Sequence, residues 1–243
     1  MAFGDILFTT AVDSDAGDPI SATLSGSRTA GNLLVYWVFT FASNSTAGTG
    51  LSEAYENIHS GNGDVAALYY RVIQGGDGNT WEVDLAESDQ YAAILSEIEG
   101  QFATAPLDQT GESEVTANNN VVVSASGATT QADELAVVCF GVRDAVNTVD
   151  ITALSDSFTG LLTEHNALGQ AWHMLVARGV KVLSATGTPS CQATLSSANA
   201  SIQTTNCIAT FKKAAAVGST AAHGVSKSDQ QAIVQPSMAG FAA

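Results

Sequence analysis

The sequence predicts an all-β protein: a single two-sheet β-sandwich with an internal pseudo-repeat, followed by an extended C-terminal arm. Three observations predict it. Ala30-Gly31-Asn32-Leu33-Leu34-Val35-Tyr36-Trp37 is echoed by Ala132-Asp133-Glu134-Leu135-Ala136-Val137-Val138-Cys139, and the echo continues through three later segments. Short Val/Ile/Leu-rich runs are separated by Gly, Ser, Thr and Asn turns, as strands are. Past Phe211 that pattern stops. Lys212 to Ala243 is Ala/Gly/Ser-rich and holds too few large apolar groups to build a core. The expected boundaries are residues 1–212 for the sandwich and 213–243 for the arm.

The elements follow in order. Ile6 to Val12 reads as the first strand, closed by the acidic turn Asp13 to Pro19, with Ile20 to Leu24 as the second. Asn32 to Phe41 is a nearly continuous apolar run, as expected of a strand covered on both faces. Ala42 to Gly50 reads as loop. In 51–58 the spacing of Leu51, Tyr55 and Ile58 suggests a helical turn or a short helix. Val65 to Ile73 is a strand, and Gly75-Gly76-Asp77-Gly78-Asn79 is a hairpin turn into Trp81 to Leu85. Tyr91 to Glu99 has helical spacing too, but its echo Thr205 to Phe211 is rich in strand formers, so it is assigned as strand. Further strands are expected near Val115–Ala125, Leu135–Val142, Phe158–His165, Ala171–Leu183, Cys191–Leu195 and Ile202–Phe211. The echo matches Asp64–Val72 to Gln170–Arg178, and its offset grows from 102 to about 113, as loop insertions would make it.

Charge narrows the function. The chain of 243 residues carries a formal net charge of −16, a field that repels phosphate backbones and argues against nucleic acid as a partner. The imbalance is uneven. Residues 1–170 hold 23 acids against Arg28, Arg71 and Arg143, whereas 171–243 hold Arg178, Lys181, Lys212, Lys213 and Lys227 against Asp229 alone. A basic end on an acidic body suits docking onto an acidic neighbour. No apolar run has the length of a membrane span, and the N-terminus lacks the charged start and apolar core of a signal peptide, so a protein made in a cytoplasm is expected. Cys139, Cys191 and Cys207 have no metal-ligand spacing and read as reduced core residues, with a Cys191–Cys207 disulfide as the alternative.

Catalytic and metal motifs are not found. Asp13-Ser14-Asp15-Ala16-Gly17-Asp18 offers carboxylates on a turn but lacks the full calcium-loop pattern and reads as an acidic surface turn. His59, His165, His173 and His223 form no ligand pair, and there is no G-x-S-x-G elbow, Walker loop or G-x-G-x-x-G. The reading is therefore a non-enzyme without cofactor or metal. Trp37, Trp81, Trp172, Tyr55, Tyr69, Tyr70 and Tyr91 are candidates for a sugar-binding face, although most lie in strands, where aromatics usually form core.

Ala30 to Val35, Ala66-Ala67-Leu68-Tyr69-Tyr70-Arg71-Val72, Gly75 to Leu85 and Tyr91 to Gly100 carry a resemblance. Together with Cys207-Ile208-Ala209-Thr210-Phe211-Lys212 they resemble a jelly-roll-like β-sandwich family of tailed-phage virion structural proteins, of cement, decoration or fibre type. Glu97-Ile98-Glu99-Gly100 stands where that family usually has Glu-Tyr-Ser-Gly. The resemblance covers residues 5–212 and brings no catalytic residues. It implies a virion protein, made in the host cytoplasm, that binds the major capsid protein or other virion subunits. A homo-oligomer, with a trimer as one form, is expected, and neither nucleic acid nor membrane is a partner. The favoured role is a capsid cement or decoration protein. Its arm would bind through Ile233, Val234, Met238 and Phe241 as apolar anchors, with Lys212, Lys213 and Lys227 for acidic patches. The alternatives are a tail or fibre component and a carbohydrate-binding module.

Overall fold

The computed structural model describes residues 2–116, 120–145, 149–166, 172–197 and 201–215. Its strands divide into two successive sets. The N-terminal unit contains β1 (Ile6–Gly17), β2 (Ile20–Thr23), β3 (Leu33–Thr40), β4 (Ser45–Ala47), β5 (Ser52–Ile58), β6 (Val65–Val72), β7 (Thr80–Leu85) and β8 (Asp89–Ile98). The C-terminal unit contains β9 (Phe102–Thr116), β10 (Asn120–Ser124), β11 (Glu134–Asp144), β12 (Ile151–Leu154), β13 (Thr159–Asn166), β14 (His173–Leu183), β15 (Ser190–Leu195) and β16 (Gln203–Lys213). There is no helix among the described residues.

Every strand pairing is antiparallel, and the two units share one topology. The first forms a five-stranded sheet β1-β8-β3-β6-β5 and a three-stranded sheet β2-β7-β4; the second forms β9-β16-β11-β14-β13 and β10-β15-β12. Numbered within each unit, both read 1-8-3-6-5 and 2-7-4, a jelly-roll order. The expected sandwich is the pair of large sheets facing each other across a central core, which holds Leu33, Val35, Trp37 and Phe39 from one side and Leu135, Val137, Cys139 and Cys207 from the other. Each large sheet also carries its own small sheet on the outer face. Leu34, Tyr36 and Val38 pack there on Ile20, Trp81 and Val83, and Ala136, Val138 and Phe140 pack on Val121, Val123 and Ala193. Four layers therefore enclose three cores.

Layering explains the residue patterns. All eight residues of β3 are buried, because the strand is covered on both faces. In outer β7, Trp81, Val83 and Leu85 point inward while Thr80, Glu82 and Asp84 face out, the period of two expected of a half-buried strand.

The large sheets meet reciprocally. β1 packs on β13, β8 on β14, β3 on β11, β6 on β16 and β5 on β9. Written within units, these are 1 on 5, 8 on 6, 3 on 3, 6 on 8 and 5 on 1, the signature of a two-fold, isologous interface inside one chain. The axis runs between β3 and β11, where equivalent residues meet. Trp37 Nε1 donates to Val138 O at 2.8 Å, and the thiol of Cys139, the counterpart of Trp37, points at Val38 O at 3.9 Å. Gly141 is the counterpart of Phe39, and a Cβ there would lie 2.1 Å from the Phe39 ring. Two bulky side chains cannot occupy one axis. The N-terminal unit supplies the large member of each pair and the C-terminal unit the small one.

Asparagines clamp the two sides of this seam. Asn57 on β5 donates to Ser113 O at 3.1 Å and Asn206 O at 3.0 Å, across on β9 and β16. Asn166 on β13 donates to Ser14 O and Tyr91 O, across on β1 and β8. Both asparagines are buried.

Several sequence expectations are corrected. Residues 52–58 form not a helical turn but the edge strand β5, with a bulge between Glu53 and Tyr55; Leu51 packs on an outer core, Tyr55 on the central one and Ile58 is exposed, so the three share no helical face. Val115–Ala125 is not one strand: β9 ends at Thr116 and β10 begins at Asn120. The 102–114 stretch gives no clear strand signal because β9 is an edge strand with Pro106, Gly111 and several acids. Strand β4 lies inside the expected 42–50 loop, and β12 was also missed. The echo alignment shifts as well. Leu33 pairs with Val72 and Leu135 with Val182, so Arg71 corresponds to Lys181, and Arg178 to Leu68.

Candidate functional site

The two-fold axis puts the starts of β3 and β11 at one end of the body, and β16 ends there. This exit of β16 is held on both sides: Ala214 N–H donates to Gln101 O at 2.7 Å, and Gln131 Nε2 donates to Lys213 O at 3.1 Å. Lys213 Nζ lies 5.1 Å from the centre of the Phe3 ring, which packs on Phe102. Lys213 also borders two open grooves. One, of about 290 Å³, is lined by Gln131, Ala132, Asp133, Ala214 and Ala215; the other, of about 240 Å³, by Phe3, Thr29, Asn32, Glu99, Gly100 and Gln101. Each groove thus offers one lysine and one carboxylate, with small or apolar walls. Of the binding residues expected from sequence, Lys213 stands at this exit and Lys212 beside it, paired with Asp108 at 3.5 Å. Lys227, Ile233, Val234, Met238 and Phe241 lie outside the described residues.

Beneath the grooves each unit buries a carboxylate, on different strands. In the N-terminal unit it is Glu97 on β8, held by Arg28 at 2.8 Å, Asn32 Nδ2 at 2.6 Å and Thr29 N–H at 3.1 Å. In the C-terminal unit the counterpart of Glu97 is Thr210, and the counterpart of Asn32 is Glu134. Burial raises the Glu134 carboxyl above its ordinary value, and the neighbouring Asp108 adds to the shift.

At the opposite end the axis emerges between Phe41 and Arg143, again equivalent positions. The Arg143 guanidinium lies 4.6 Å from the Phe41 ring and 4.0 Å from that of Trp172, and it pairs with Asp64 of the other unit at 2.9 Å. Asn62 Nδ2 donates to Asp64 Oδ2 at 2.8 Å. Burial pushes Asp64 up to about 6 in spite of Arg143, which pulls the other way. Sequence reading gave no notice of this pairing, since Asp64 and Arg143 lie on different units. Arg178, in the seam itself, is buried with no carboxylate partner among the described residues: it donates to Gly160 O at 2.6 Å and Thr9 Oγ1 at 3.1 Å beside the Trp37 ring. Burial lowers it to about 10.

The remaining candidates disperse. Trp37, Trp81, Tyr69 and Tyr91 are buried, and Trp172 is half-buried on Arg143. The residues expected to form an acidic turn from Asp13 continue β1 to Gly17; Asp15 accepts from Gln90, and Asp18 from Leu85 N–H. Among the described residues no group of three His, Cys, Asp or Glu is placed to hold a metal ion. All three cysteines are free and buried. Cys191 belongs to an outer core and Cys207 to the central one, so a Cys191–Cys207 disulfide is excluded; Cys207 instead faces Cys139 across β11 and β16. Comparison with known proteins gives no match to a family model, to a curated protein or to a solved structure.

Proposed function

We propose that this chain is a structural protein of a tailed-phage virion, a capsid cement or decoration protein that binds the assembled shell through its body and its C-terminal arm. The observation that carries this reading is the geometry at the end of β16. This strand is paired on both sides within a large sheet, contributes Cys207, Ala209 and Phe211 to the central core, and ends at Lys213, which borders two open grooves. The jelly-roll topology agrees with the resemblance in the strands, and an acidic body suits a soluble exterior. A protein that binds only the assembled lattice stabilises it by mass action.

Deletion of residues 214–243 tests the proposal. The truncated chain is expected to fold but to be lost from purified particles, whose heat resistance falls to that of particles lacking the protein. Unchanged incorporation and heat resistance would remove the arm's role.

A further inference from the structure

Lys212, Asp108 and Glu134 come together on the three neighbouring strands β16, β9 and β11, directly under the exit. Glu134 lies opposite Lys212 in the register of β11 and β16, so the two side chains share a face. Asp108 reaches them because the β9 register shifts between Leu107 and Thr110, a bulge that re-aims its side chain. Lys212 Nζ is 3.5 Å from Asp108 Oδ1. Thr130 fixes the Asp108 carboxyl with two donors, its N–H to Oδ2 at 2.7 Å and its hydroxyl to Oδ1 at 2.8 Å. Glu134 is fully buried; Oε1 accepts from Gln131 N–H at 3.3 Å, and the Thr210 hydroxyl also acts on the carboxyl. The Glu134 and Asp108 carboxyls are close enough to perturb each other. Burial raises the Glu134 carboxyl, against the pull of the Thr210 hydroxyl. Asp108, although burial pushes it upward, is held below its ordinary value chiefly by Thr130.

We propose that Lys212 and Asp108 are joined by an intramolecular amide bond, formed autocatalytically with Glu134 as the acid. A lysine, a carboxyl group held in place and a buried acid supply what such a condensation needs: a nucleophile, an electrophile and a proton donor. Proton transfer within the ion pair leaves a neutral amine and a neutral Asp108 acid. Lys212 Nζ attacks Asp108 Cγ, and the developing oxyanion on Oδ2 is stabilised by the Thr130 N–H. Glu134 gives its proton to the departing oxygen and recovers one from the nitrogen. The Nζ–Cγ bond forms, a Cγ–O bond breaks, and one water leaves, so no external reagent is consumed. The N-terminal unit cannot do this, because Leu7 and Glu99 stand at the equivalent positions of Asp108 and Lys212. The product ties β9 to β16 at the base of the arm, whatever the arm binds.

Intact-mass measurement of the purified full chain tests the bond. The wild type is expected to weigh one water less than its sequence and to yield, after proteolysis, one branched peptide joining Asp108 to Lys212. Lys212→Arg is expected at full mass with the fold retained, and Glu134→Gln at full mass or forming the bond far more slowly. A wild-type chain at full mass after prolonged incubation overturns the proposal, as does a mass deficit that maps to other residues. An undiminished rate in Glu134→Gln overturns the role of the acid. Should Glu134→Gln fail to fold, the wild type and Lys212→Arg decide the question alone.

Discussion

Asp64 is almost completely buried where the two units meet, and the groups facing it come from several elements: Arg143 from β11, Asn62 and His59 from the β5–β6 connection, and Gln203 from β16 through Asn62. Desolvation outweighs the ion pair, so its folded value of about 6 stands above the ordinary 3.8. The sign follows from linkage. A carboxyl raised on folding contributes stability that is complete below about pH 4 and is lost as pH rises through 6, a change of roughly 3 kcal/mol. Urea denaturation of the wild type and Asp64→Asn is expected to show it: the stability difference between them shifts in favour of the wild type as the pH is lowered from 7 to 4. A difference independent of pH would contradict this account of Asp64.

At the scale of the element, β3 and β11 are the strands that most need each other. Their equivalent residues meet on the axis as large and small, Trp37 with Cys139 and Phe39 with Gly141. Gly141→Ala places a methyl group into the Phe39 ring, and overpacking of this kind costs about 1–3 kcal/mol. Combining it with Phe39→Leu is expected to recover part of that loss, with a coupling energy measurable in a double-mutant cycle. Independent, additive effects would mean that the two positions do not share the space. The clamps act between elements too. Asn57 and Asn166 donate to backbone carbonyls of the opposite unit and so join the two large sheets.

For the whole molecule, the central core belongs to neither unit. Separation would expose an entire apolar face of each large sheet, including Leu33, Val35, Leu135 and Val137. Such faces are far larger than the apolar patches that monomeric proteins leave in water. The two jelly rolls are therefore expected to unfold together. Calorimetry should give one transition whose van't Hoff and calorimetric enthalpies agree, and two resolved transitions would show that the seam is weaker than its packing indicates. The reciprocal packing also gives the molecule two dissimilar ends, one with the exit of β16 and its grooves, the other with the Asp64–Arg143 pair.

The β class, the duplication and most inner strands were legible in the sequence, because a strand buried on both faces must be apolar almost throughout, as Leu33–Thr40 and Leu135–Val142 are. The edge strands were not. In β5 a bulge disguises the period, and β9, paired on one side only, tolerates Pro106 and Gly111. The sequence by itself determined two related sets of strands, an acidic body and a terminal segment without a core. Only the tertiary structure decided that the sets stack as four layers about an internal two-fold axis, and that Lys212, Asp108 and Glu134 meet. Repetition and hydropathy are properties of the chain read locally, whereas contacts across a sheet or an axis depend on register, and one bulge changes which side chains face each other.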